Sequence, residues 1–93
     1  MITIKLSNNE LNIVNQLITE SDESIDFEID HSVITFKNVD SAMIVDELIK
    51  DKLQIEGFSY DYSPNMIGRI CEGLIDKFYE AIVNSEWFDK WWV

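Results

Sequence analysis

The sequence predicts an α+β fold of two layers, a small three-stranded sheet with three helices on one face, in the order β-α-β-β-α-α. Two kinds of periodicity and a set of boundary signals predict it. Residues 2–6 and 25–37 alternate apolar with polar side chains, the period of a half-buried strand, whereas residues 11–18, 42–53 and 67–82 repeat apolar residues at the three-and-four spacing of a helix face. Capping and turn residues stand between these segments. At 93 residues and 46% hydrophobic, the chain holds enough apolar material for one core, so residues 1–93 read as a single domain. Strands that are polar on one face and helices with one apolar stripe bury those surfaces most economically by stacking. The pattern leaves strand order open.

Ile2, Ile4 and Leu6 alternate with Thr3 and Lys5, the mark of a short first strand. Ser7 with Glu10 has the spacing of a capping box, which starts a helix. Leu11, Val14, Leu17 and Ile18 give that helix its stripe, and the polar run after Thr19 ends it near Glu20. Ile25-Asp26-Phe27-Glu28-Ile29-Asp30 then alternates strictly, so a strand sorts it into an apolar face and a carboxylate face. Val33 to Lys37 is the next strand. A tight loop about His31-Ser32 sets Ile29 opposite Ile34, Phe27 opposite Phe36, Glu28 opposite Thr35 and Asp26 opposite Lys37. His-Ser is not a favoured hairpin pair, so the turn type stays open.

Asn38 or Asp40 caps a second helix with Ala42, Val45, Leu48, Ile49 and Leu53 inward and Asp46, Glu47, Lys50 and Asp51 toward water. Gly57 is its stop signal. After a loop over residues 58–62, Ser63-Pro64 supplies an N-cap with proline at the first helical position. Ile67, Ile70, Cys71, Leu74, Ile75, Phe78 and Ile82 form the stripe of the third helix. Its interior glycines, Gly68 and Gly73, each cost about 1 kcal/mol relative to alanine, which implies a backbone packed closely against a neighbour.

Eighteen acidic residues against 7 basic ones give a formal charge of -11, with too many aliphatic and aromatic residues for a disordered acidic tail. A surface of this sign repels nucleic acid and anionic lipid and attracts basic proteins, so direct nucleic-acid and membrane binding are not expected. The start, Met1 to Leu6, lacks the apolar run of a secretory signal, and no stretch approaches the length of a membrane span. With one cysteine, Cys71, on an apolar helical face, a cytoplasmic location and a packing role for the thiol are expected.

The catalytic inventory is thin, so the chain is expected not to be an enzyme. Nucleophilic catalysis needs a base beside the nucleophile, yet His31 is the only histidine and is placed in a turn, while Cys71 is placed in the core. A structural zinc site needs about four Cys or His ligands, and no glycine-rich loop is present to cradle phosphate. Asp26, Glu28 and Asp30 have the spacing of a calcium-loop start, but His31 stands where the loop glycine belongs and Lys37 where the bidentate Glu belongs. No metal or cofactor is therefore expected.

Partner binding has better candidates. Glu20, Asp22, Glu23, Asp26, Glu28 and Asp30 place six acids in eleven residues with no base among them. They are either a solvated face that guards against aggregation, partly neutralised by Lys37 and Lys5, or a surface for a basic protein. Glu72, Asp76 and Glu80 stack at intervals of four on the third helix, offset by Arg69 and Lys77 or by a basic partner. Trp87, Phe88, Trp91 and Trp92 crowd the tail in pairs pointing about 100° apart on a helix, so some close the core and the others are available as interface anchors.

Residues 57–65, Gly57-Phe58-Ser59-Tyr60-Asp61-Tyr62-Ser63-Pro64-Asn65, followed by Gly68 and Glu72-Gly73-Leu74-Ile75-Asp76-Lys77-Phe78, resemble a pattern in small acidic bacterial proteins, some of them similar to immunity proteins and antitoxins. The resemblance covers about a quarter of the chain. It implies an inhibitor that blocks a cognate toxin, with no site residue assigned by the motif. The expected function is an acidic protein-binding inhibitor of a basic toxin or nuclease. The alternative is a phage-type DNA mimic whose carboxylates occupy the DNA groove of a host defence enzyme.

Overall fold

The computed structural model describes residues 1–57 and 65–84. Its order is β1 (Ile2–Lys5), α1 (Asn8–Glu20), β2 (Phe27–Asp30), β3 (Val33–Phe36), α2 (Val39–Glu56) and α3 (Met66–Val83). The three strands form one antiparallel sheet in the order β1-β3-β2. Ile2 faces Phe36 and Ile4 faces Ile34 across β1 and β3, while Phe27 faces Phe36 and Ile29 faces Ile34 across β2 and β3. The hairpin register is thus the expected one, because a slip of one residue would turn every apolar side chain of β2 to the wrong face. His31 at the hairpin tip has φ 57°, the left-handed region that histidine enters more readily than most residues.

Thr3, Lys5, Glu28 and Asp30 remain exposed on the outer face, so the described helices all cover the other one. There α3 packs beneath β1 and α2 beneath β3, with α1 leaning on both helices. Ile2, Ile4, Ile34 and Phe36 of the sheet meet Val14, Val45, Ile49, Cys71, Leu74 and Phe78 of the helices in one core. The Phe36 and Phe78 rings meet edge to face with centroids 5.7 Å apart, a geometry that complements their quadrupoles. Burial pushes the Cys71 thiol pKa up, which keeps it in the neutral form of a packing residue.

The helix boundaries follow local chemistry. Ser7 Oγ accepts from the Glu10 amide and Glu10 Oε1 accepts from the Ser7 amide, so the capping box is complete. Asn38 caps α2 by accepting from the Ser41 amide at 2.8 Å. The cap of α3 differs from expectation. Asn65, not Ser63, holds that position, with Pro64 also before the helix and both residues outside the described set. Asn65 makes two bonds through two separate atoms, since its Oδ1 accepts from the Gly68 amide and its Nδ2 donates to the Glu56 carbonyl, each at 2.8 Å. It thereby clasps the end of α2 to the start of α3.

Gly57 ends α2 with φ -82°, so it is not there for the left-handed region. A Cβ on Gly57 would crowd the Leu53 carbonyl oxygen and side chain, and a Cβ on Gly68 would overlap the Gly57 carbonyl oxygen, so the two helices close on each other at this point. Gly73 has no such contact, since the nearest atom to an added Cβ is Glu10 Oε2 at 3.6 Å. Close packing therefore explains one interior glycine of α3 and not the other. Two expectations for α2 also change. Leu48 is only half-buried and stands outside the core cluster. Asp46 lies in the seam with α3 beside Tyr79 and Ile82, its side chain 14% exposed and its Oδ2 2.9 Å from Lys50 Nζ.

Candidate protein-binding surface

β2 carries the acidic comb because its alternation admits one arrangement over an apolar core. Asp26, Glu28 and Asp30 are all exposed. Across the outer face Glu28 continues the row Thr3–Thr35, and Asp30 continues the row Lys5–Val33. The comb is anchored at its start by a long-range bond: the Asp26 amide donates to Ser41 Oγ at 3.0 Å. Ser41 is 3% exposed in the first turn of α2, so that turn holds the entry to β2. Asp22 and Glu23 precede it in the exposed connection from α1, where the Glu23 amide donates to Ser21 Oγ at 3.0 Å.

The carboxylates of the comb are almost without cations. Its one side-chain contact with a basic residue among the described residues is His31 Nε2 to Asp30 at 3.5 Å, between two side chains about as exposed as in free solution. Neither Lys5 nor Lys37 forms an ion pair with these carboxylates among the described residues. Lys37 meets Asp26 through the backbone alone, its amide donating to the Asp26 carbonyl at 3.2 Å.

Glu72, Asp76 and Glu80 are exposed along α3. The helix packs against β1, at the edge opposite β2, so the structure keeps this stripe apart from the comb. Lys77 does not serve the stripe as expected. It reaches across to Glu10 of α1, Nζ to Oε1 2.6 Å. Burial pushes the Glu10 carboxyl pKa up, but the hydrogen bonds from Lys77 and Ser7 and the lysine's charge outweigh it and hold the value below the ordinary range. Between β1 and α3 runs an open groove of about 410 Å³ whose walls include Thr3, Lys5, Lys77, Glu80 and Asn84. The acids of β2 and two of the lysines therefore occupy opposite edges of the sheet.

β2 also departs from expectation in its apolar face. Phe27 and Ile29 do point inward, yet Phe27 is half-buried and Ile29 is 37% exposed. The helices sit beneath β1 and β3, and β2 overhangs them. Sequence reasoning had no means of finding this overhang, because alternation tells which face is apolar but not how far the covering layer extends. Trp87, Phe88, Trp91 and Trp92 lie outside the described residues. Among the described residues, no group of His, Cys, Asp and Glu side chains converges to hold a metal ion, and no helix is long and apolar enough to cross a membrane. His31 stands exposed at the hairpin tip while Cys71 is sealed in the core, so the two do not meet. No family model, curated protein or solved structure matches the chain.

Proposed function

We propose that this chain is an acidic protein-binding inhibitor, an immunity protein or antitoxin that occupies the basic surface of a toxin or nuclease in the cytoplasm and performs no catalysis of its own. The observation that carries the reading is the comb on β2: outward carboxylates that, among the described residues, meet no basic side chain apart from the exposed His31, on a strand whose folding needs only its apolar side. Charges that a fold does not use internally are available to a partner of opposite sign. Phage-type DNA mimicry is less well supported, because a mimic needs a continuous acidic track and the comb and the α3 stripe lie at opposite edges of the sheet.

The product of the neighbouring reading frame is the first partner to test, by co-purification and then by titration at two salt concentrations. Affinity should fall as salt rises, because attraction between exposed charges is screened beyond about 10 Å at 0.1 M. Asp26→Lys, Glu28→Lys and Asp30→Lys together should weaken the complex while shifting stability by no more than about 0.5 kcal/mol per site. A salt-independent affinity, or an equal loss of folding and binding in the triple variant, defeats the reading. Release of bound DNA from a range of DNA-binding proteins would favour the mimic instead.

A further inference from the structure

We propose that the outer edge of β2 is a docking site for an extended segment of the partner in which basic residues alternate with apolar ones, added to the sheet as its fourth strand. The inference rests on the reading of this chain as a binder of a basic protein, and it names the element of that partner which is bound. Among the described residues β2 is an edge strand, paired with β3 on one side. The Lys37 amide bonds the Asp26 carbonyl, and ladder bonds in an antiparallel pair recur at every second residue. Glu28 and Asp30 therefore turn their backbone groups toward β3, as the Asp26 carbonyl does while the Asp26 amide bonds Ser41 Oγ, and Phe27 and Ile29 turn theirs outward. The bond from the Leu6 amide to the Ser32 carbonyl fixes the complementary alternation on the β1 side. Among the described residues, no strand pairs with the outward groups of Phe27 and Ile29.

The side chains specify what fits. Below the sheet the overhanging Ile29 and the half-buried Phe27 offer apolar surface to the inner face of an added strand. Above it Asp26, Glu28 and Asp30 offer carboxylates to the outer face. Only a strand that is apolar on one side and basic on the other satisfies both, with the main-chain bonds giving attachment and the alternate side chains giving selectivity. A second copy of this chain does not satisfy them. Pairing β2 with β2 sets like charges opposite each other, which is destabilising, and β1 presents a single cation, Lys5, on its outer face. A β1-on-β2 contact would also be head to tail and open-ended. The acids thus discourage the self-pairing that a bare edge invites while leaving the backbone groups free.

The test uses a synthetic peptide of strand length, about six residues, alternating lysine and valine, against a peptide of the same composition with lysines and valines in separate blocks. The alternating peptide should bind at least about tenfold more tightly, and it should slow hydrogen exchange of the Phe27 and Ile29 amides. Ile29→Pro removes an outward donor at a position where an edge strand tolerates proline, and it should abolish that preference. Methylating alternate amide nitrogens of the peptide should do the same without altering the protein, so the result does not depend on the proline variant folding. Equal binding of the two peptides, unchanged exchange at Phe27 and Ile29, or indifference to N-methylation overturns the edge inference. If both peptides bind equally and both are lost in the Asp26→Lys, Glu28→Lys, Asp30→Lys variant, the acidic-surface reading stands and edge docking alone falls.

Discussion

Glu10 joins the start of α1 to the middle of α3, and replacing it separates two contributions that the structure superimposes. Its Oε1 accepts from the Ser7 amide at 2.8 Å and from Lys77 Nζ at 2.6 Å, with the residue 8% exposed and the lysine side chain 42% exposed. Glu10→Gln keeps an acceptor for the Ser7 amide, since glutamine also closes a capping box, but removes the charge. Bonds to charged groups contribute about 1.5–3 kcal/mol against about 1 for neutral ones. The exposed lysine end reduces that difference to about 1 kcal/mol. Glu10→Ala loses the cap as well, a further loss of about 1 kcal/mol. In melts of a chain this size the shifts are about 4–8 °C and twice that.

The pH dependence follows from the direction of the shift. Because the folded carboxyl titrates below the ordinary value, the unfolded chain takes up the proton first as pH falls. The contribution of the charge is full above about 4.3, the unfolded value, and is lost as pH falls through the folded value beneath it. Urea unfolding of parent and Glu10→Gln should differ by about 1 kcal/mol at pH 7 and converge as pH falls below the folded value. A variant as stable as the parent at pH 7, or a gap unchanged at low pH, would refute the assignment of the Lys77 bond as charge-assisted.

The two interior glycines of α3 should respond in opposite directions. Gly73→Ala has room and should stabilise by up to about 1 kcal/mol, whereas Gly68→Ala drives a Cβ into the Gly57 carbonyl and should destabilise by about 1–3 kcal/mol or more; denaturant midpoints decide, and equal responses would contradict the packing described. His31→Gly relieves a left-handed residue worth about 1–2 kcal/mol at an entropic cost to the unfolded chain of about 0.5–1 kcal/mol. A small net gain in midpoint is expected, and a loss would mean that the His31 side chain contributes to the turn. Asn65→Asp retains the cap on the Gly68 amide and loses the donor to the Glu56 carbonyl, so it should fall between the parent and Asn65→Ala, whose cost is about 1 kcal/mol or more. Thermal melts that place both variants together would show that only one of the two bonds matters.

Much of this protein was legible along the chain because the information is local. The capping box at Ser7 and Glu10, a cap at Asn38 or Asp40, the stop at Gly57 and the register of the Phe27–Phe36 pair all depend on residues within about a turn or a hairpin of one another. Alternation in residues 25–30 placed Asp26, Glu28 and Asp30 outside because no other arrangement turns Phe27 and Ile29 toward the core side. The α3 cap was misplaced for an instructive reason: Ser63-Pro64 is the stronger local signal, but Asn65 also bonds the end of a different helix, and that second bond decides the boundary.

What only the tertiary structure decided is which segments meet. Period and capping do not encode the strand order β1-β3-β2, and that order is what makes β2 an edge and separates its acids from those of α3. Lys77 finds Glu10 across 67 residues, and Asp26 finds Ser41 across 15. Neither pair has a signature in the chain, because a hydrogen bond between distant residues depends on how elements stack and not on their own periodicity. The overhang of Ile29 has the same origin. Alternation determined that the residue faces inward, but the width of the helical layer beneath the sheet, set by the packing of α2 and α3 under β3 and β1, determined that it is left partly uncovered.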